Sequence, residues 1–280
     1  MLARRAPAQI RVGIGGWTYA PWRGVFYPAD LVQRRELEFA AGRLSSIEIN
    51  GTFYSAQKPE SFGRWREETP ADFVFALKAP RYATHRRSLA SAGAAVERFL
   101  SGGVLQLQEK LGPINWQLPP EMSFDPTDFE AFLKLLPPSL ESRALRHAVE
   151  VRHASFRSAA CVELARRYGV ALVLAGDSNY PWFSDVTGSF LYLRLMGTRS
   201  GEPLGYATAE IARWAERARC WADGGAPADL PPLLAGQAPA ERRDVFVYFI
   251  SGFKVSNPAA AQGLISQLQE MARSSALPVR

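Results

Sequence analysis

Eight short runs rich in Val, Ile, Leu and Phe alternate with amphipathic helical patterns along almost all of the 280 residues. No Gly-rich dinucleotide fingerprint follows the first run, because Gly13-Ile14-Gly15-Gly16-Trp17 lacks the spacing that motif requires. One face of most runs is small or polar, and the other is large and apolar. Together these observations predict an α/β fold closed as a single (β/α)8 TIM-type barrel over residues 1–280, with 1–9 as a flexible N-terminal arm.

Taken in order, strands are expected at Ile10–Ile14, Ser46–Ile49, Asp72–Lys78, Gly112–Leu118, His147–Arg152, Val170–Ala175, Ser189–Leu195 and Asp244–Ile250. Helical patterns fall at Asp30–Gly42, Pro59–Glu68, Gly93–Lys110, Asp125–Leu136, Ser158–Tyr168, Thr208–Ala222 and Pro258–Met271. The connection Asp177–Thr187, with Pro181 and Trp182, reads as irregular, and Ala222–Arg242 as a long loop before the last strand.

Successive strand residues point to opposite faces, so parity sorts the side chains. Ser46, Glu48 and Asn50 share a face, as do Val74, Ala76 and Lys78, then Asn115 and Gln117. Ala148, Glu150 and Arg152 continue the series, followed by Val173, Ala175 and Asp177, then Tyr192 and Arg194. A crowded barrel lumen requires small or polar groups, whereas the outer helices take the large aliphatic face.

The composition excludes a disordered chain, with 47% hydrophobic and 21% charged residues. No apolar run is long enough to span a bilayer, and Met1–Gln9 has no signal-peptide core, so no membrane association is expected. Cys161 and Cys220 lie far apart in helical segments, which fits a reducing cytoplasm better than a disulfide framework. A net charge of +6 permits a phosphate-bearing partner. A monomer is expected.

Parity places Glu48, Asn50, Lys78, Gln117, Glu150, Arg152, Asp177 and Arg194 on the lumen side at the C-terminal ends of six strands, where barrels of this type build their sites. Glu48, Lys78, Glu150 and Asp177 are the candidate catalytic groups. Trp17, Tyr19, Asn50, Tyr54, His85, Gln117, Arg152, His153 and Arg194 are the candidate ligand-binding ones. The competing reading is a salt-bridged plug with pairs such as Glu48–Lys78 and Glu150–Arg194.

Three acidic residues admit acid–base work or a carboxylate-held Mg²⁺ or Mn²⁺. With only His85, His147 and His153, and no Cys/His cluster, no zinc site and no nucleotide cofactor are expected. Lys78 would form a Schiff base if desolvated, or act as an anion-binding lysine. Trp17, Tyr19, Trp22, Phe26, Tyr27, Phe53, Tyr54, Phe156, Trp182 and Phe183 crowd the same end. They either roof the barrel or, with Arg23, Arg81, Arg86, Arg87 and Arg157, form a groove that stacks rings and grips phosphates.

These segments resemble the YecE-like family, domain of unknown function 72. The resemblance is carried by Gly15-Gly16-Trp17-Thr18-Tyr19, Trp22-Arg23-Gly24, Phe26-Tyr27-Pro28 and Ile47-Glu48-Ile49-Asn50-Gly51-Thr52-Phe53-Tyr54. Trp65 with Thr69-Pro70, the run Phe73–Pro80 and Thr84-His85 extend it, as do Lys110–Pro113 and Gln117–Pro120. Glu150–Phe156 and Tyr192-Leu193-Arg194-Leu195 complete it, so that it covers about residue 11 to 270. The resemblance implies a barrel and a site drawn from these motifs, and it supplies no reaction. Two departures stand out. Met196-Gly197 replaces the family's His-Gly, and Ile250-Ser251-Gly252-Phe253-Lys254 replaces its Asn-Asn-Asp-rich turn, removing polar groups from the last two strands.

Two functional classes follow. One is an enzyme, a hydrolase or lyase acting on a phosphorylated or nucleic-acid substrate. The other is a non-catalytic module that binds nucleic acid or a phosphorylated metabolite.

Overall fold

The computed structural model of the protein describes residues 8–234 and 240–276. Strands β1 (Ile10–Gly15), β2 (Ser46–Ile49), β3 (Val74–Lys78), β4 (Leu111–Gln117) and β5 (His147–Glu150) pair in parallel in sequence order. β6 runs through Ala171–Leu172 and Leu174–Gly176, β7 is Phe190–Leu195 and β8 is Asp244–Phe249. The first half of β6 bonds to β5, with Ala148 opposite Ala171, and its second half bonds to β7, with Leu193 opposite Leu174. Because β7 pairs with β8 and β8 with β1, the sheet returns to its start and closes as a TIM-type barrel. Among the described residues no helix is long and apolar enough to cross a membrane.

The helical patterns break where backbone chemistry demands it. The expected helix Gly93–Lys110 ends as an α-helix at Leu100 and resumes as 3-10 turns over Val104–Lys110. Gly103 sits at φ +103 between them, and a Cβ there would lie 2.7 Å from Cα of Pro59. Only glycine tolerates both conditions. Likewise Asp30–Gly42 is a 3-10 turn, Gln33–Arg35, followed by a short α-helix, Glu36–Ala41. Side-chain caps start two of the outer helices. The Asp125 carboxylate accepts from the amides of Thr127 (2.8 Å) and Asp128 (3.2 Å) before Pro126–Lys134, and Ser158 Oγ accepts from Cys161 N before Ala159–Arg167.

The expected arm over 1–9 falls mostly on residues outside the described ones. At its end Gln9 is tied down, because its N–H donates to Asp244 and its carbonyl accepts from Val245 N. Asp177–Thr187 carries no regular structure, and buried Asp185 in it accepts from the amides of Leu233 and Leu234, pinning the long loop before β8.

The lumen holds Val74, Ala76, Ala148, Ala171 and Val173 facing four aromatics, Phe190, Tyr192, Phe246 and Tyr248. The expectation of a mainly small or polar lumen, with Tyr192 on it, holds for β3, β5 and β6, but Phe190, Phe246 and Tyr248 add large rings to it. Large rings from β7 and β8 fill the volume that small residues on β3, β5 and β6 leave, as close packing requires. Above them a polar column begins. Ser46 Oγ donates to the Val74 carbonyl (2.6 Å) and accepts from Tyr248 (2.7 Å), and Tyr192 donates to Glu48 (2.6 Å). At the opposite end Arg146 pairs with Asp244 (2.9 Å) over the Phe246 ring. His147 is also structural, accepting from the Trp116 indole at Nδ1 (3.0 Å) and donating from Nε2 to the Pro137 carbonyl (2.8 Å).

Candidate functional site

At the C-terminal ends of the strands lies a cavity of about 740 Å³. Most strands deliver a lumen-facing residue at or just past their C-terminal end there, since a period of two repeats that face along each strand. Lys78 and Gln117 project into it from β3 and β4, Arg194 from β7, and Arg152 from just past β5. A register shift between Phe75 and Leu77 sets Lys78 opposite Asn115, and Thr52 Oγ1 donates to the Lys78 carbonyl (2.7 Å), holding that strand end. Gly15 opens the floor, because a Cβ on it would stand 2.7 Å from Asn50 Nδ2 and 2.5 Å from the Ile250 side chain.

Beneath the cavity lies a buried ion network in which every carboxylate oxygen is paired, while Arg194 Nε has no hydrogen-bond partner among the described residues. The Arg194 guanidinium donates to Glu150 and, at 3.0 Å, to Glu48. Tyr192 takes the second oxygen of Glu48, and Arg152 (2.9 Å) takes the second oxygen of Glu150. Both glutamates are fully buried. Burial alone would raise the Glu150 carboxyl, but the charges of Arg194, Arg152 and Lys78 hold it below the usual range. Burial likewise opposes the Arg194 charge, and Glu150 and Glu48 overcome it. This is half of the plug expected from the sequence. Glu150 does pair with Arg194, but Glu48 pairs with Arg194 too and not with Lys78.

Lys78 is therefore the group left over. It is 7% exposed, its Nζ stands 3.9 Å from the Phe53 ring centroid, and among the described residues no carboxylate lies within ion-pairing distance. Burial first, then the Arg194 charge, lowers its pKa to about 8, against the opposing pull of Glu48 and Glu150. Gln117 Oε1 and Asn115 Oδ1 are buried with no hydrogen-bond partner among the described residues.

The cavity wall is one-sided in charge. Lys78, His85, Arg152, Arg194 and Lys254 line it, and no Asp or Glu does among the described residues. Two arginines and two lysines thus stand against the two carboxylates beneath. Trp17, Asn50 and Tyr54 also line it, whereas Tyr19 stands outside the wall with Lys254 Nζ over its ring (4.4 Å). The aromatics divide between the two expectations. Trp22, Tyr27, Phe156 and Phe183 are buried scaffold, while Trp17, Phe53 and Tyr54 face the cavity.

Besides Tyr19, two further expected residues lie elsewhere. Asp177, one step beyond β6, adopts φ +55, and its carboxylate accepts from Tyr206 (2.9 Å) and from Trp214 (3.1 Å) of the helix Thr208–Ala222. The left-handed turn breaks the strand parity and sends the side chain outward. His153 binds Ser155 through Nδ1 and stays off the cavity wall. The three carboxylates do not converge, and among the described residues no group of three or more His, Cys, Asp or Glu is placed to hold a metal ion.

Sequence reasoning missed Lys254, Asn257, Gln57 and Trp65, all on the wall. The departure after β8 suggested lost polarity. Ile250 and Met196 do pack apolar against Ala175, but Lys254 and Asn257 restore polar groups from the next turn. A lysine a few residues past a barrel strand was the available signal.

Solved relatives share this architecture. A DUF72 family protein of Thermotoga maritima MSB8 superposes with a TM-score of 0.70 at 21% identity, covering 95% of this chain and 99% of the other. One from Enterococcus faecalis V583 gives 0.68 at 17% identity, with 97% of each chain covered. Among curated proteins the chain is 31% identical over 150 residues to the UPF0759 protein YecE of Escherichia coli K12, and this match spans 52% of the chain and about half the length of that relative. The family model described as "Protein of unknown function DUF72" matches residues 11–279, taking in every strand that builds the cavity, and the chain therefore belongs to the DUF72 family.

Proposed function

We propose that the cavity binds a phosphate-bearing small molecule, gripped by Lys78, Arg152 and Lys254, and that the protein is an enzyme of the hydrolase or lyase class acting on it. One observation carries this reading: the wall bears Lys78, Arg152, Arg194 and Lys254 and, among the described residues, no carboxylate, and only Glu48 and Glu150 beneath it offset their charge. A buried excess of positive charge costs free energy unless an anion offsets it. An arginine offers phosphate two parallel donors and a lysine a point charge, each contact contributing roughly 1.5–3 kcal/mol. The cavity volume suits a small ligand, for which sites of about 300–1,000 Å³ are usual. Fully hydrogen-bonded and buried, Glu48 and Glu150 serve here by orienting Arg194 and Arg152. A second reading, single-stranded nucleic acid, is favoured by Tyr54, 70% exposed at the cavity wall, and by the exposed Arg81 and Arg87 on the segment that follows β3.

Titration with a sugar phosphate and with a short oligonucleotide at two salt concentrations separates the readings. A small phosphate ligand is expected to bind with a shallow salt dependence, and an oligonucleotide with a steep one. Lys78→Ala is expected to weaken the ligand at least about tenfold, about 1.4 kcal/mol. If neither ligand binds below millimolar concentration, or Lys78→Ala changes nothing, the charged lumen is a structural ion-pair plug. Asp177→Asn serves as the control. Because its side chain faces away from the cavity, affinity should stay within about twofold while stability falls by about 1 kcal/mol through the weakened Tyr206 and Trp214 contacts. A tenfold loss of affinity would return Asp177 to the site.

A further inference from the structure

We propose that Lys78 is a Schiff-base lysine, its Nζ condensing with the carbonyl carbon of a phosphate-bearing aldehyde or ketone held in the cavity. The inference rests on the anion-binding reading and names the substrate class within it. A lysine that only binds anions gains from nearby carboxylates that keep it charged. Around Lys78 the arrangement is the reverse. Glu48 and Glu150 are consumed by Arg194 and Arg152, and the amine is 7% exposed against an aromatic ring with two guanidiniums nearby. Desolvation and neighbouring cations are the conditions that leave an amine neutral and nucleophilic.

The other lysines differ in kind. Lys110 donates to the carbonyls of Arg66 (2.6 Å) and Thr69 (2.7 Å), Lys134 pairs with Glu130 (3.5 Å), and Lys58 is exposed. Lys254 sits at the rim over the Tyr19 ring.

The step balances without an oxidant or reductant. The neutral amine's lone pair attacks the carbonyl carbon, the C=O π pair moves to oxygen, and a proton passes from nitrogen to that oxygen. The carbinolamine then expels its hydroxyl as water on taking a second proton, leaving the iminium, whose C=N accepts electrons from an adjacent breaking bond. His85 is placed to carry these protons. Its ring packs edge-on to Phe53 at 5.4 Å, on the same ring that Lys78 covers, and it lines the same cavity. Burial, then the charges of Lys78 and Arg81, hold its pKa below the usual value, which favours the neutral ring that can accept a proton. The unpartnered Gln117 Oε1 is free to accept from the carbinolamine hydroxyl.

Borohydride trapping with glycolaldehyde phosphate, beside glycolaldehyde as the phosphate-free control, tests this. Reduction adds the ligand's mass less one oxygen atom, and peptide mapping finds the modified lysine. The expected result is one adduct, on Lys78, formed at least ten times faster than on Lys58 or Lys134. It should be absent in a folded Lys78→Arg variant and suppressed by inorganic phosphate. Arg194, Arg152, Glu48, Glu150 and His85 face this amine, so its rate should level off near pH 8 and not climb to that of an ordinary lysine. Binding of inorganic phosphate, followed through the fluorescence of Trp17 and Trp65 in the wall, is measured in parallel. Phosphate binding with no Lys78 adduct, or with adducts spread evenly over Lys58, Lys134 and Lys254, overturns the Schiff base and leaves the anion site standing. Absence of both sinks the anion site and the Schiff base together.

Discussion

Arg194→Met is expected to destabilise the barrel by about 3–5 kcal/mol at neutral pH, the cost of removing one partner from a buried ion pair. Arg194 is 4% exposed, and the two carboxylates it neutralises are not exposed at all. Methionine fills comparable volume, so the loss is electrostatic and not a cavity. The pH dependence fixes the cause. Glu150 has a folded-state pKa below its unfolded value, so its contribution is fully present above roughly pH 4.3 and is lost as pH falls through the lower folded value. In Arg194→Met most of that depression disappears, because Arg194 is its largest charged cause. The gap between wild type and variant is therefore widest at neutral pH and closes on acidification below about pH 4. Urea unfolding at pH 7 and pH 3.5 measures it. Adding Glu150→Gln to the variant should recover part of the loss. A gap under about 1 kcal/mol, or one independent of pH, would show that the network does not hold the barrel top together.

Lys78→Met should shift stability the other way, making the protein more stable at pH 7 by about 1–3 kcal/mol. The sign follows from a folded pKa of about 8 against an ordinary lysine's 10.5. Below pH 8 the amine is charged in both states, and the folded state carries the full cost of burying that charge. Between pH 8 and 10.5 the folded amine is neutral while the unfolded one still holds its proton, so wild-type stability rises and the advantage of methionine fades. Denaturant unfolding at pH 7 and pH 10 reads this directly. The same variant is expected to lose ligand affinity, so stability and binding move in opposite directions. That opposition marks a residue retained for chemistry at a cost to the fold. A Lys78→Met variant less stable than wild type at pH 7 would make the lysine a structural element.

Strand alternation by itself brings several charged and polar strand ends together. Glu48, Lys78, Gln117, Glu150 and Arg194 meet at one end of the barrel because each is the last residue of its parity in a parallel strand. That much follows from backbone geometry, which two neighbouring residues already express. Asp177 escapes the rule one residue past the end of β6, where φ +55 turns the chain and nothing in the local pattern announces it. Lys254 enters the cavity from a turn whose direction depends on how the following helix, Asn257–Ala276, packs outside β8.

By itself the sequence determined the closed α/β architecture, the polar lumen end and the residue types that meet there, because periodicity and burial are local consequences of side-chain chemistry. Tertiary structure alone decided which charges pair. Arg194 lies 146 residues from Glu48 and 44 from Glu150 along the chain, yet it neutralises both, and Lys78 is left without a carboxylate. Such a choice depends on distances measured across the barrel, which no stretch of neighbouring residues encodes. It is also what turns a row of charged strand ends into a cavity with a positive wall.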